Sequence, residues 1–375
     1  MKLSFALLGG LFALASAHQC GTKPNADIKA LHASLAANNG TRRRDQYRRP
    51  AGEPFQIPTF FHVITCGNQT TPGFCNGTVT VGNLTYPRMQ TVVSPKAVED
   101  QLAALNTAYA PAGFSFVLND TAFVPAPQWR DLEILGDAEK AMKTALRRGD
   151  YATLNVYVTP IAPDAEAGSI VGYATFPGRA SKAAFARDGV VVDSATLPGV
   201  DKPPFNRGMT LVHEVGHWLS LLHTFEAPDD ADDEDPLAGC RGPGDYMYDT
   251  PAEGTSATGC EIGRDTCTGS IEAENTWSMP GPDPIHNYMD YSYDACLYEF
   301  TPMQVERMAE VYVDVRINYV EGTFEGPGPD EELEREAQEK AAQEKAARKK
   351  AAQEKAARKK AAQDKFIDRR PLPSK

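Results

Sequence analysis

At 375 residues, with 42% hydrophobic and 23% charged side chains, the chain has the balance of a folded globular protein rather than a disordered one. Its net charge of −12 is uneven: residues 331–375 carry 14 basic against 9 acidic side chains, leaving 24 against 41 and a body at −17. That acidity argues against nucleic acid as a partner, because phosphate binding needs a basic face. Only the N-terminus approaches a membrane span, and it is too short for one. Lys2, the apolar run Leu3 to Leu14 and the small-residue triplet Ala15-Ser16-Ala17 read as a secretory signal over residues 1–17. Export gives meaning to five N-x-Ser/Thr sequons, at Asn39, Asn68, Asn76, Asn83 and Asn119, and directs the seven cysteines towards disulfides.

Residues 18–52 form a polar leader ending in Arg42-Arg43-Arg44 and Arg48-Arg49, either a processing site that makes the leader a propeptide or a solvated charge cluster. Residues 53–323 hold every Trp and nearly all aromatics and are the expected folded domain. Phe55 to Thr65 reads as a buried strand, and Ser94-Pro95 opens a helix through Tyr109, with Ser as N-cap and Pro in the first turn. Asp137 to Arg148 reads as another helix. Strands follow at Thr153 to Thr159, Ile170 to Phe176 and Val190 to Asp193. This mixed order predicts an α/β or α+β architecture. Residues 324–375 contain AAQEKAARKK twice in tandem, at 341–350 and 351–360. The segment favours helix but has no apolar stripe for a core or a coiled coil, so a charged low-complexity tail is expected.

The chemistry concentrates in His213-Glu214-Val215-Gly216-His217-Trp218-Leu219-Ser220-Leu221-Leu222-His223. On a helix, His213 and His217 stand one turn apart on one face, and Glu214 can reach a water held on the same metal. Three His ligands with an open fourth position suit catalytic zinc. Along a straight helix His223 would lie roughly 15 Å from His213, so the chain must turn between His217 and His223. The acidic run Asp229 to Asp235 is either an oxygen-rich Ca²⁺ loop without EF-hand spacing or a solvated charge run. His62 reads as a core or capping residue, His286 as a support for the segment after it, and His18 and His32 as leader residues. There is no C-x-x-C pair for a structural zinc and no G-x-S-x-G nucleophile; six of the cysteines could pair in 15 ways.

HEVGHWLSLLH resembles the HExxHxxGxxH zinc motif of the metzincin metallopeptidases. Together with GMTLVHEVGHWLSLLHTF, GDYMYDTP (Gly244 to Pro251) and DPIHNYMDYSYDACLYEFTPMQVERM (Asp283 to Met308), it makes Ile57 to Tyr319 similar to the pappalysin-like (cytophagalysin) branch, in the form of a secreted fungal-type extracellular metalloprotease. The resemblance implies a zincin fold: a twisted sheet with helices, an active-site helix, and a disulfide-stapled, loop-rich C-terminal subdomain. It implies His213, His217 and His223 as zinc ligands and Glu214 as general base. Met289 becomes the Met-turn residue under the metal, and Tyr291 the donor to the oxyanion. Cys240–Cys267 and Cys260–Cys296 become disulfides, leaving Cys66–Cys75 as the local pair. A secreted zinc endopeptidase acting on protein or peptide substrates, as a monomer, is then expected.

Ser220 stands where the family motif has Gly. In a left-handed turn a non-glycine residue costs roughly 1–2 kcal/mol, which keeps open the alternative of a non-catalytic binding protein that retains the fold. Parity leaves Cys20 unpaired. A thiolate is a good zinc ligand, and metzincin zymogens as a class hold a leader cysteine on the zinc. Cys20 is therefore a candidate latency switch; a disulfide with Cys66 or Cys75 is the alternative.

Overall fold

The computed structural model describes residues 19–38, 53–66, 73–81, 84–90, 93–161, 170–178, 182–200, 203–228, 231, 235–269, 271 and 274–318. The expected signal, the basic run and the repeat tail lie outside these residues, as do Asn39, Asn68 and Asn83 and the side chains of Asn76 and Cys75. The chain separates into two units, residues 1–179 with 185–320 and residues 180–184 with 321–375. Of the second, only 182–184 are described, as the start of a short helix.

The elements run in chain order as β1 (Gln19–Cys20), α1 (Ala26–Asn38), β2 (Phe55–Thr65), β3 (Gly73–Val81), β4 (Leu84–Gln90), α2 (Pro95–Tyr109), β5 (Phe114–Pro125), α3 (Asp137–Leu146), β6 (Leu154–Val158), β7 (Ile170–Ala174), α4 (Lys182–Arg187), β8 (Val190–Val192), α5 (Met209–Trp218) and α6 (Pro302–Val311). The expected strands and helices fall on β2, α2, α3, β6, β7 and β8, with ends differing by one or two residues. The hairpin β3–β4 and strand β5 were not anticipated. The leader, expected only as a polar segment, carries β1 and α1.

Six strands form one sheet in the order β1-β7-β8-β6-β2-β5, and all neighbours are parallel except the β7–β8 pair. Alternation along each strand sorts side chains to two faces. Leu154, Val156, Val158, Val190 and Val192 pack under α2 and α5 with Leu105, Leu211, Val215 and Trp218. Tyr157 and Val191 point the other way, into a cluster with Ile64, Leu132, Met142 and Tyr173 against α3. His62 is a core residue, as expected; its Nε2 lies 3.0 Å from Asn155 Oδ1. Asn119 is exposed on β5, where a glycan has room.

Helix α2 starts as the sequence predicts, with Ser94 Oγ accepting from Ala97 N at 3.1 Å and Pro95 in the first turn. Its buried polar side chains fix α5 in place. Gln101 Nε2 donates to Gly208 O at 3.0 Å and Tyr109 OH to Val212 O at 2.9 Å. Helix α5 is buried on every side from Thr210 to Trp218. Both of its ends are satisfied from outside. The Asp294 carboxylate accepts from Arg207 N at 2.7 Å at the start, and Arg316 Nε donates to Trp218 O at 2.8 Å at the finish. Arg316 is itself paired with buried Asp188 and stacks 3.6 Å from the Trp218 ring. From His223 to α6 the chain is mostly turns, stapled by Cys240–Cys267 and Cys260–Cys296, the two pairs the resemblance implied. Cys66 is disulfide-bonded as well; the side chain of Cys75, its expected partner, lies outside the described residues.

Asp245, in the GDYMYDTP segment, is buried and accepts from Met247 N and Gln304 Nε2. Burial dominates these bonds and pushes its pKa from 3.8 up to about 7. The folded value exceeds the unfolded one, so the stabilising contribution is complete below about pH 4 and is lost as pH rises through about 7. In Asp245→Asn that dependence disappears. Any mismatch with Gln304 adds a constant offset, so parent stability relative to the variant should fall between pH 4 and 8. Urea midpoints measured across this range check the slope, and a flat difference contradicts it.

Candidate active site

Helix α5 ends in a left-handed turn. Ser220 has φ +82°, its N–H donates to His217 O at 2.8 Å, and Leu221 N–H donates to Gly216 O at 2.8 Å. This paired closure, with the left-handed residue just past the cap, is the Schellman arrangement usually built on Gly. The turn required by the His217–His223 spacing is therefore present, on the residue where it was expected. It folds His223 back beside the helix.

The result is a cluster of three imidazoles. His217 Nε2 lies 3.1 Å from His213 Nε2 and 3.1 Å from His223 Nε2. Every Nδ1 faces an oxygen that can only accept: Tyr288 O at 2.7 Å for His213, Leu221 O at 2.7 Å for His217, and the Glu226 carboxylate at 3.1 Å for His223. Each Nδ1 must then carry the proton, which leaves three unprotonated Nε2 atoms converging on one point. Burial, together with the neighbouring imidazoles, lowers the His213 pKa to about 3 and drives that of His217 well down, so both stay neutral. Three lone pairs held this close repel one another unless a cation sits between them. The donor set therefore fits a divalent metal, with imidazole nitrogen suiting zinc.

A fourth donor is in reach. Cys20 Sγ and one nitrogen from each of the three histidines all lie within 4.8 Å of one another. The sequence candidates are thus brought together, Cys20 included, although nearly 200 residues separate it from the histidines. Cys20 is a free thiol, not a disulfide partner. Its Sγ donates to Glu214 Oε2 at 3.3 Å, and burial with that carboxylate pushes the thiol pKa well up; a cation at the cluster centre would act in the opposite sense.

Glu214 is fully buried, and burial raises its pKa to about 8 against the opposing bonds from Cys20 and Thr22. Thr22 Oγ1 donates to Glu214 Oε2 at 3.0 Å while accepting from Ala174 N at 2.8 Å. Glu214 Oε1 has no hydrogen-bond partner among the described residues. Room for this carboxylate comes from Gly172 of β7, where a Cβ would lie 2.8 Å from Glu214 Oε1. Met289, wholly buried, comes so close beneath the helix that a Cβ on Gly216 would stand 2.4 Å from its sulfur. The loop that carries Met289 is shaped by Asn287, whose side chain accepts from Met289 N at 2.9 Å, and it supplies the Tyr288 carbonyl that orients His213. Tyr291 OH lies 3.2 Å from His223 Nε2 and donates to Cys20 O at 3.4 Å. His286 supports this loop from behind through Cys296 O, at 2.8 Å. Beside His213 and Glu214 a small cavity of about 40 Å³ is walled by Val171, Phe205, Met209 and Leu297.

Sequence reasoning missed Thr22, Gly172 and Glu226. Only Glu226 had a local signal, as a carboxylate three residues beyond the third histidine. The acidic run expected as a Ca²⁺ candidate lies mostly outside the described residues; its last member, Asp235, pairs with Arg241.

Comparison with known proteins agrees with this geometry. The family profile described as pregnancy-associated plasma protein-A, Peptidase_M43, matches residues 147–313. An extracellular metalloprotease of Colletotrichum graminicola is 35% identical over 328 residues, covering 84% of this chain and all of the relative. The chain belongs to the pappalysin-like metallopeptidases. One from Pyricularia oryzae, also an extracellular metalloprotease, is 37% identical over 290 residues, 77% of this metallopeptidase and 84% of the relative. Mature mirolysin of Tannerella forsythia, solved in complex with a cleaved peptide, matches in fold with a TM-score of 0.50 at 23% identity, over 72% of this chain and 95% of that one. The protein is accordingly a metalloendopeptidase with a metzincin-like fold.

Proposed function

We propose that this metallopeptidase is a secreted zinc endopeptidase held latent by its own leader. The observation that carries the reading is the convergence of three Nε2 atoms, each oriented by an acceptor on its Nδ1, with Cys20 closing the fourth side. Zinc bound there would polarise the scissile carbonyl and lower the pKa of a bound water towards neutrality. His213, His217 and His223 would hold the metal through their converging Nε2 atoms. Glu214 is placed to take the proton of the attacking water and pass it to the leaving amine. Tyr291, one hydrogen bond from the cluster, is placed to donate to the oxyanion of the tetrahedral intermediate. Once β1 has left it, the edge of β7 would offer its backbone to an extended peptide, with Val171, Phe205, Met209 and Leu297 as apolar neighbours.

In the unprocessed chain those places are taken. Strand β1 pairs with β7, Gly21 N–H donates to Gly172 O at 2.8 Å, and Cys20 and Thr22 occupy the Glu214 carboxylate. While the leader is seated, Cys20 Sγ holds the place between the imidazoles and Glu214 Oε2 that an attacking water would take. Cleavage near the basic run at Arg42 to Arg44 would release it. The non-catalytic alternative rested on Ser220. The left-handed backbone there delivers His223 to the cluster, which supports the catalytic reading instead.

The test is casein cleavage by the secreted protein. Uncut parent should be nearly inactive, while uncut Cys20→Ser and the parent cut at the basic run should be active. A chelator should abolish that activity and added zinc restore it. Cleavage that survives the chelator contradicts the zinc reading, and equal latency of Cys20→Ser and parent contradicts the switch.

A further inference from the structure

Helix α1 of the leader buries a single stripe, Ile28, His32 and Leu35, at the i, i+4, i+7 spacing of one helical face. A histidine at the centre of such a stripe needs polar partners, and the domain supplies two. His32 Nε2 lies 3.1 Å from Ser220 Oγ, and Arg307 of α6 donates to His32 Nδ1. Arg307 has no lone pair to accept with, so Nδ1 is the acceptor and the proton resides on Nε2, donated to Ser220. Burial and the Arg307 charge keep the ring neutral, as this pattern requires. All three side chains are buried, with Ser220 and His32 at 0% exposure and Arg307 at 2%. One turn before His32, Lys29 Nζ donates to Ala227 O at 3.2 Å.

The partner of Ser220 explains why the residue is there. Its left-handed backbone is met most cheaply by Gly, yet Gly would leave Nε2–H of His32 buried without an acceptor, a deficit comparable to the strain itself. Ser220 is also chemically idle towards the metal cluster: its hydroxyl contacts His32, not a metal ligand.

We propose that Ser220 and Arg307 form a docking site for His32, a second anchor that seats the leader helix on the catalytic domain independently of Cys20. The site recognises a helix presenting a neutral imidazole between two aliphatic residues, and its occupant is residues 26–38 of this chain. The leader is thereby held at two points twelve residues apart in sequence, the thiol at the metal cluster and the imidazole behind the turn that carries the third metal ligand. The inference refines the latency reading above, and its test separates the two.

Hydrogen exchange followed by mass spectrometry on the full secreted chain reads the two anchors segment by segment. In the parent, residues 26–38 should be protected. His32→Ala should speed their exchange about tenfold or more, with α5 unchanged. Ser220→Ala should do so by a smaller factor, and His32→Gln, which keeps one acceptor and one donor, should recover most of the protection. Cys20→Ser should loosen residues 19–22 and leave α1 protected. Exchange of α1 within twofold of the parent in both His32→Ala and Ser220→Ala overturns the docking site. Faster α1 exchange in those variants, with no response of residues 19–22 to Cys20→Ser, would retire the thiol anchor and leave the imidazole anchor standing.

Discussion

Glu214→Gln in the processed enzyme should lower turnover on a protein substrate by roughly 10²–10⁴-fold and leave zinc content and folding intact. Glutamine fits the room beside Gly172 and can still accept from a neighbour, but it cannot carry a proton from water to amine. The carboxylate is not among the donors that converge on the cluster centre; those are the three imidazoles and Cys20 Sγ. Metal retention is therefore part of the expectation. Metal analysis alongside casein assays decides it: loss of zinc together with activity would make Glu214 a ligand, and retention of activity would remove it from the chemistry.

His223→Ala should have the larger effect on the metal. Two imidazoles on one helical turn remain, but the ligand that closes the site comes from beyond the Ser220 turn and is the most exposed to loss. Zinc content should fall from near-stoichiometric to a small fraction after dialysis, and activity with it. His213 and His217 are fixed by backbone carbonyls at 2.7 Å, so the helix itself should survive the change, as circular dichroism would check. Full zinc occupancy in His223→Ala would mean that another group completes the site.

How far these features could be read beforehand depended on the distance over which their causes act. The His213–His217 pair is a one-turn signal, and Ser94-Pro95 marks the start of α2 by local chemistry alone. The turn at Ser220 followed from arithmetic, because three histidines at that spacing cannot share a straight helix. Strand β5 escaped notice because its middle, from Val117 to Asp120, is exposed on one edge of the sheet and lacks alternation. Cys20 could be singled out by parity, whereas Thr22 and Gly172 act only through contacts that the sheet creates between β1 and β7. His32 looked like one leader residue among many, since its partners lie 188 and 275 positions away. At Ser220 the local rule correctly placed a left-handed turn, while the buried hydrogen bond of its hydroxyl to His32 had no local signal.

The most direct test of the account is X-ray absorption at the zinc edge on the unprocessed, zinc-loaded chain. Three nitrogen scatterers at about 2.0 Å and one sulfur at about 2.3 Å are predicted, with the sulfur lost in Cys20→Ser and after removal of the leader. A first shell without sulfur in the unprocessed chain, or with fewer than three nitrogens, would contradict the latent three-histidine site.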